Sequence, residues 1–192
     1  MPDQHIDFLL VGGGVASAAC ARALREGGAT GSIAILGREL DPPYHRPPAT
    51  KAYLRGEHGK EEAHVNPPSW YEANDVELRT RTNVRSIDTG SKTVKLQGGE
   101  ELSYGSALLA TGSIINRLRV DGSDLDGLHY VRALGNSDGI RKDAESATAV
   151  AIIGGSYIGC EVAASLTEMG KAVTVVMQED EPMQRGFGAQ VG

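Results

Sequence analysis

Residues 6–28 read IDFLLVGGGVASAACARALREGG, and residues 147–170 read ATAVAIIGGSYIGCEVAASLTEMG. The two stretches align when Gly12 is set against Gly154, so the chain contains an internal repeat. Each copy has an aliphatic run, a glycine turn and an alanine-rich run with helical spacing, and a second aliphatic run follows. Because these runs are continuous rather than alternating, they predict strands buried on both faces of a parallel sheet. The sequence therefore predicts an α/β fold with two strand–turn–helix–strand units.

The glycine turn of the first copy has the spacing of a dinucleotide-binding turn. Gly12 would permit the sharp turn out of the strand, and Gly14 would let the backbone approach a diphosphate. Ser17 is small enough for the helix to pack closely against the strand. Free N–H groups at the helix start, together with the helix dipole, would then hold the diphosphate.

The second copy keeps Gly154 and Gly159 at the first and third positions, but Ser156 occupies the second. Its side chain lies where a diphosphate would pass, so we expect binding here to be weaker or slightly displaced. A glycine-rich turn before an ordinary helix is the alternative interpretation, but this motif occurs twice between a predicted strand and helix. Two Rossmann-like dinucleotide-binding units in one chain are typical of flavoprotein oxidoreductases, in which two cofactors meet.

Acidic residues follow the second strand of each unit, where a carboxylate normally accepts hydrogen bonds from an adenosine ribose. Glu39 is the candidate in the first unit. Met177 ends the strand in the second unit and cannot accept a strong hydrogen bond, so Glu179 is the candidate there. Asp180 and Glu181 come next, and three carboxylates would repel a 2′-phosphate. This pattern predicts NADH over NADPH, and the alternative is a solvated acidic loop.

Residues 41–51 read DPPYHRPPATK, with four prolines that predict a stiff loop without helix. Arg46 and Lys51 offer cations suited to phosphate, although an ordinary surface loop is the alternative. Residues 76–112 then show short alternating runs separated by turn residues, and end in the apolar strand 107–110. They predict a small antiparallel β-meander on top of the parallel sheet.

Composition excludes several classes of protein. The net charge of −6 argues against nucleic acid or an anionic membrane surface as the main partner. No apolar run approaches the ~20 residues that a membrane span needs, and residues 1–7 do not resemble a signal peptide. Two cysteines make no disulfide scaffold, which predicts a cytoplasmic protein. The five histidines lack metal-ligand spacing, so no metal site is predicted.

The segments VGGGVAS, PYHRPPATKAYL, LLATGS and IIGGSYIGCEVAASL resemble the FAD- and NAD(P)-dependent pyridine nucleotide–disulfide oxidoreductase superfamily. The resemblance is greatest to its ferredoxin reductase-like branch, which includes putidaredoxin and rubredoxin reductases, monodehydroascorbate reductases and apoptosis-inducing factor. The proline-rich segment is the most specific, with Ala49 and Thr50 in place of the usual Leu-Ser. The resemblance implies an FAD-binding domain over 1–115 and the first βαβ unit of an NAD-binding domain over 116–192. It also implies that the C-terminal part of the family fold is absent.

The resemblance also implies roles for individual residues. FAD would contact the first glycine turn, the acid after the second strand, the proline-rich segment and five further residues: Gly12, Gly14, Ala16, Glu39, Arg46, Lys51, Val84, Ala110, Thr111, Gly112 and Arg132. NAD would contact the second glycine turn and the acid that follows it: Gly154, Ser156, Tyr157, Ile158, Gly159 and Glu179.

Three residues would act at the flavin itself. Tyr157 would shield one flavin face until nicotinamide arrives, and Glu161 would pair with Lys51 beside the reactive nitrogen. An ammonium there would stabilise the anionic reduced flavin, and a carboxylate would keep that lysine charged. A helix glutamate that faces solvent is the alternative interpretation of Glu161.

The cysteines bear on where electrons would go. Cys20 and Cys160 are far apart and no CxxC pair occurs, so a dithiol relay is excluded. The resemblance then implies hydride transfer from NADH to FAD and single electrons to a carrier such as a [2Fe–2S] ferredoxin. A monodehydroascorbate- or quinone-type reductase and a redox-sensing binding protein remain open as alternatives. The other expected partner is the remainder of the same polypeptide, without which the 192 residues are expected to be inactive.

Overall fold

The computed structural model describes residues 2–191 and divides them between two units. The first unit contains residues 2–45 and 64–113, and the second contains residues 46–63 and 114–191. The segment 46–63 therefore lies between the two parts of the first unit in the sequence, but it belongs to the second unit. The expected boundary between an FAD-binding domain (1–115) and an NAD-binding domain (116–192) is defined by cofactor binding rather than by packing, so it stays a prediction.

The elements follow the predicted order. The strands are β1 (Gln4–Val11), β2 (Ile33–Leu36), β3 (Val76–Arg79), β4 (Val84–Asp88), β5 (Thr93–Leu96), β6 (Glu101–Leu109), β7 (Ala149–Ile153) and β8 (Ala172–Val176). The α-helices are α1 (Val15–Glu26), α2 (Ala52–Arg55), α3 (Pro68–Ala73), α4 (Leu134–Ser146), α5 (Tyr157–Glu168) and α6 (Gln184–Phe187). Short 3-10 helices lie at Pro47–Thr50 and Glu61–Ala63.

The first unit is built on one sheet with strand order β3-β2-β1-β6-β5-β4. Strands β3, β2, β1 and β6 are parallel, whereas β5 and β4 continue the sheet in antiparallel fashion. The meander also packs across one face of the parallel strands, because Val94 and Leu96 of β5 share a buried cluster with Leu36 of β2, so its expected place on the parallel sheet is confirmed. The long strand β6 joins the two parts, since it pairs with β1 along one edge and with β5 along the other.

Burial on both faces is confirmed for the first copy of the repeat. Along β1, Leu9 contributes to one buried cluster and Leu10 to another, and every residue of β2 is buried. In the second copy only one face of β7 and β8 packs against α4 and α5, while Ile153 and Val176 are exposed. The expectation of two buried faces is therefore wrong for the described part of the second unit, because its sheet has two strands and helices on one side.

Segment 46–63 forms part of the core of the second unit. Leu54 is fully buried in a cluster with Ile140 and Val162, which lie on α4 and α5. The expectation that the prolines exclude a helix is wrong, since Pro47–Thr50 is a 3-10 helix. Proline is tolerated in the first turn because the N–H groups there have no partner within the helix.

Arg25, on α1, hydrogen-bonds to the main chain of two loops in the first unit. Its guanidinium donates to the carbonyls of Ala29 and Gly31 at 2.8 Å and to those of Asn74 and Asp75 at 2.7 Å. Replacing Arg25 with methionine keeps the aliphatic stem and removes all four bonds. We expect the free energy of unfolding to fall by about 2–3 kcal/mol, as measured by urea unfolding.

The fluorescence of Trp70 can report this transition, because it is the single tryptophan of the chain and lies in the first unit. Arg85→Met, at an exposed position of β4, is the matched control and should change the free energy of unfolding by less than about 0.5 kcal/mol. Equal effects of the two substitutions would contradict the assigned role of Arg25.

Two further observations concern residues 2–191 as a whole. None of their helices combines the length and the apolar character needed to cross a membrane. In the same residues, no three His, Cys, Asp or Glu side chains are grouped so that they could hold a metal ion.

Candidate functional site

The first glycine turn presents an open surface at the start of α1. Gly12 has a φ of +126°, and a Cβ there would lie 2.1 Å from the carbonyl oxygen of Ala110. A Cβ on Gly13 would lie 2.9 Å from the Cα of Gly37. Gly14, by contrast, has no atom within 4 Å of such a Cβ, and no side chain caps the helix that follows. The turn thus fits a diphosphate, because Gly14 leaves room in front of free helix N–H groups.

Glu39 is held just after β2 by main-chain and side-chain bonds. Arg81 donates its N–H to the Glu39 carbonyl at 2.9 Å, and the Tyr44 hydroxyl donates to the Glu39 carboxylate at 2.6 Å. Sequence reasoning missed the role of Tyr44, for which a buried aromatic residue inside the proline-rich segment was the available signal. The fixed carboxylate is suited to accept hydrogen bonds from ribose hydroxyls.

The other predicted contacts of the first unit lie just after β6 or at the start of β4. Ala110, Thr111 and Gly112 directly follow β6, and Ala110 donates its N–H to the Val11 carbonyl at 2.8 Å. Val84 is half-buried at the start of β4. Since β1, β2 and β6 are parallel, their carboxyl ends share one edge of the sheet, which is where open α/β sheets bind ligands.

Lys51 and Glu161 form an ion pair within the second unit. The Lys51 ammonium lies 2.6 Å from Oε2 of Glu161, which is in the second turn of α5. The interpretation of Glu161 as a solvent-facing helix residue is therefore wrong, because the carboxylate has a cation and a hydroxyl as partners. The hydroxyl belongs to Thr50, which sequence reasoning noted only as a departure from the family pattern.

The protonation of Glu161 follows from these contacts. Burial raises the pKa of its carboxyl, but the hydrogen bonds from Lys51 and Thr50 and the charge of Lys51 outweigh it, so the pKa lies below its usual value. The stabilisation from this pair is therefore present above the usual pKa of a glutamate and is lost as the pH falls through the lowered value.

A cavity of about 210 Å³ lies beside this pair in the second unit. Arg46 donates to the main-chain carbonyl of Arg132 at 3.0 Å, which joins the two guanidinium-bearing residues at its wall. The cavity is lined by cations, one carboxylate and apolar groups: Arg46, Pro47, Ala49, Thr50, Lys51, Val131, Arg132, Ile158 and Glu161. This lining is suited to a flat, partly apolar group that carries negative charge.

The second glycine turn uses its small residues differently from the first. A Cβ on Gly159 would lie 1.8 Å from the carbonyl oxygen of Gly154, so this helix requires glycine at the third position. A Cβ on Gly155 would lie 2.2 Å from the sulfur of Met177. Ser156 precedes α5, is exposed and makes no side-chain cap. That its side chain would obstruct a diphosphate stays a prediction.

Tyr157 and Glu179 each have a partner in the segment that follows β8. The Tyr157 ring, half of which is exposed, packs edge-on against Phe187 with ring centroids 5.7 Å apart. Glu179 forms an ion pair with Arg185. The acid proposed to read the ribose therefore already has a cationic neighbour, which sequence reasoning did not anticipate.

The family model described as "Pyridine nucleotide-disulphide oxidoreductase" matches residues 6–192. This chain belongs to that family. A ferredoxin–NAD(P)(+) reductase from a Sphingomonas species is 37% identical over 188 residues, which are 98% of this chain and 45% of the relative. A rubredoxin–NAD(+) reductase from Pseudomonas putida is 36% identical over 178 residues, or 93% of this chain and 46% of the relative.

Solved structures of reductases in this family have the same fold. A ferredoxin reductase from Rhodopseudomonas palustris matches with a TM-score of 0.90 and 31% identity, over 96% of this chain and 46% of that one. The reductase in a covalent putidaredoxin reductase–putidaredoxin complex matches with a TM-score of 0.87 and 30% identity, over 96% and 45% of the two chains. The chain spans about half the length of the curated relatives it matches. The predicted family and α/β fold class are thus confirmed.

Apart from Val84, the predicted site residues of this family member fall into three groups. The diphosphate and ribose residues lie at one sheet edge of the first unit: Gly12, Gly14, Ala16, Glu39, Ala110, Thr111 and Gly112. The flavin residues Arg46, Lys51, Arg132 and Glu161 line one cavity of the second unit. The NAD residues Gly154, Ser156, Tyr157, Ile158, Gly159 and Glu179 lie in the turn before α5 or after β8. Their roles in binding stay predictions.

Proposed function

We propose that this protein is an FAD-dependent reductase that takes hydride from NADH and passes single electrons to a ferredoxin-type carrier. Membership of the family supports FAD and a pyridine nucleotide as the cofactors. The names of the relatives, which are ferredoxin and rubredoxin reductases, support a small iron protein as the acceptor. A [2Fe–2S] ferredoxin is the specific carrier proposed, and the cytoplasm is the proposed compartment, since Cys20 and Cys160 are free thiols.

The observation that carries the proposal is the Lys51–Glu161 pair beside a cavity with two arginines. When bound, FAD would accept a hydride and release its electrons one at a time. The Lys51 ammonium would stabilise negative charge that develops on the ring, and Glu161 would keep that ammonium charged and in place. In the first unit, Gly14 and the N–H groups of α1 would hold the diphosphate, and Glu39 the adenosine ribose.

Steady-state turnover with defined acceptors tests this proposal. The intact, FAD-loaded protein is assayed with NADH and either a [2Fe–2S] ferredoxin, a rubredoxin or a quinone. The proposal expects kcat/KM to be highest with the ferredoxin. Faster turnover with the quinone would contradict the proposal and favour a small-acceptor reductase. Very slow turnover with all three acceptors would contradict it and favour a redox-sensing binding protein.

The coenzyme preference gives a testable prediction at Glu179. Replacing Glu179 with glutamine removes a charge that repels a 2′-phosphate and frees Arg185 to bind one. We expect the ratio of kcat/KM for NADPH to that for NADH to rise about tenfold. Glu145→Gln, which removes an exposed carboxylate of α4 outside this acidic cluster, is the control and should change this ratio less than about twofold. A preference for NADPH in the unmodified protein would contradict the role of Glu179.

A further inference from the structure

Thr50 is bonded to α5 at two points. Its hydroxyl donates to Oε2 of Glu161 at 2.6 Å, and its carbonyl accepts a hydrogen bond from the Ser165 hydroxyl at 2.7 Å. Glu161 and Ser165 are four residues apart and therefore lie on the same face of the helix. Thr50 is 6% exposed, so both bonds are largely shielded from water.

The hydroxyl proton of Thr50 has two acceptors within reach. The Pro47 carbonyl lies 3.1 Å from Oγ1, and the Glu161 carboxylate lies 2.6 Å from it. The hydroxyl carries one proton, and the carboxylate is both closer and negatively charged. Because hydrogen bonds to ionised acceptors are shorter and stronger, the proton is donated to Glu161 while its carboxylate is ionised.

The main chain that carries this hydroxyl is itself fixed. The Ser137 hydroxyl of α4 donates to the Ala49 carbonyl at 2.5 Å, and the Ser165 hydroxyl of α5 holds the next carbonyl. Both serines are fully buried. A β-branched side chain also has few χ1 rotamers, so the fixed backbone restricts the Thr50 oxygen to few positions.

Lys51 also contacts the Glu161 carboxylate, but its side chain is less constrained than that of Thr50. Its ammonium approaches the same oxygen, Oε2, at 2.6 Å, but its side chain is 43% exposed and reaches Glu161 through a flexible four-carbon stem. The rigid donor next to Glu161 is therefore Thr50. We propose that Thr50 is a positioning residue that orients the Glu161 carboxylate toward the Lys51 ammonium and favours its ionised form.

The charged groups around Glu161 remain when the Thr50 hydroxyl is removed. Lys51 contacts the carboxylate directly, and Arg46 and Arg132 line the same cavity. Thr50→Val keeps the branched shape and removes the hydroxyl, so the ionised carboxyl loses one donor. We expect the pKa of Glu161 to rise by about one unit, whereas Thr50→Ser should leave it within about 0.3 units because serine retains the donor.

Carbon-13 NMR of the intact protein with labelled glutamate carboxyls measures this pKa, and the Glu161→Gln variant identifies the Glu161 signal. The proposal is supported if the pKa of Glu161 rises in Thr50→Val and stays close to that of the unmodified protein in Thr50→Ser. An unchanged pKa in Thr50→Val would show that the hydroxyl does not act on the carboxylate, and equal shifts in both variants would show that the lost donor is not the cause; either result overturns the proposal.

The importance of Thr50 for electron transfer rests on the proposed function, but its contact with Glu161 does not. Stopped-flow reduction of the flavin by NADH at several pH values separates the two ideas. If the pKa of Glu161 rises in Thr50→Val, the pH dependence of the reduction rate should shift upward by the same amount. A shift of the NMR titration without any shift of the rate profile would contradict the flavin role of the pair and leave the Thr50 assignment intact.

Discussion

Replacing Lys51 with alanine is expected to slow the reduction of bound flavin by NADH about 100-fold, with little change in the affinity for NADH. The ammonium lies 2.6 Å from Glu161 at the wall of a cavity that also has two arginines. Its charge is most valuable when negative charge develops on the ring, so its loss raises the barrier more than it weakens binding. Anaerobic stopped-flow spectroscopy of the flavin absorbance measures the rate.

The matched control for this substitution is Lys60→Ala. Lys60 belongs to the same segment and lies 3.6 Å from Asp138, but it does not line the cavity. Its removal should change the reduction rate less than about twofold. If Lys51→Ala reduced its flavin as fast as Lys60→Ala, Lys51 would have no role in the transfer.

Replacing Gly12 with alanine is expected to lower the free energy of unfolding by at least about 3 kcal/mol. The φ of +126° is a conformation that residues with a side chain rarely adopt, and the added Cβ would lie 2.1 Å from the Ala110 oxygen. Since Ala110 belongs to the chain just after β6, relief of the clash would separate β1 from its neighbour. Urea unfolding followed by Trp70 fluorescence measures the loss.

Gly14→Ala is the control that separates folding from cofactor binding. A Cβ at Gly14 meets no atom within 4 Å, so stability should fall by less than about 1 kcal/mol. The same methyl group would occupy the space proposed for the diphosphate, and FAD affinity should fall at least about tenfold. A Gly14→Ala variant that binds FAD normally would contradict the proposed diphosphate site, whatever the stability of Gly12→Ala.

The local parts of the fold could be predicted from the sequence because their determinants are adjacent residues. The turn at Gly12 and Gly14, the strands on either side of it and the following helix depend on local spacing, and the repeat at Gly154 supplied a second instance. The meander strands were also expected, but their place in the main sheet depends on the pairing of β6 with both β1 and β5. Local periodicity contains no information on that pairing.

The contact between Lys51 and Glu161 could be predicted from the sequence, but the contacts that hold these residues in place could not. The pairing of Lys51 with Glu161 was expected from the resemblance, whereas the second donor, Thr50, depends on a contact between residues 111 positions apart. Leu54 likewise packs against Ile140 and Val162, which lie far away in the sequence, and no local pattern reveals that contact. The link between Tyr44 and Glu39 was missed because a tyrosine in a proline-rich segment has many possible partners.

Anaerobic titration of the intact, FAD-loaded protein with NADH tests the central claim most directly. The proposed function predicts that the flavin absorbance is lost with about one equivalent of NADH and that it returns when an oxidised [2Fe–2S] ferredoxin is added. A protein that fails to bind FAD, or whose flavin spectrum does not change with NADH, would contradict the claim.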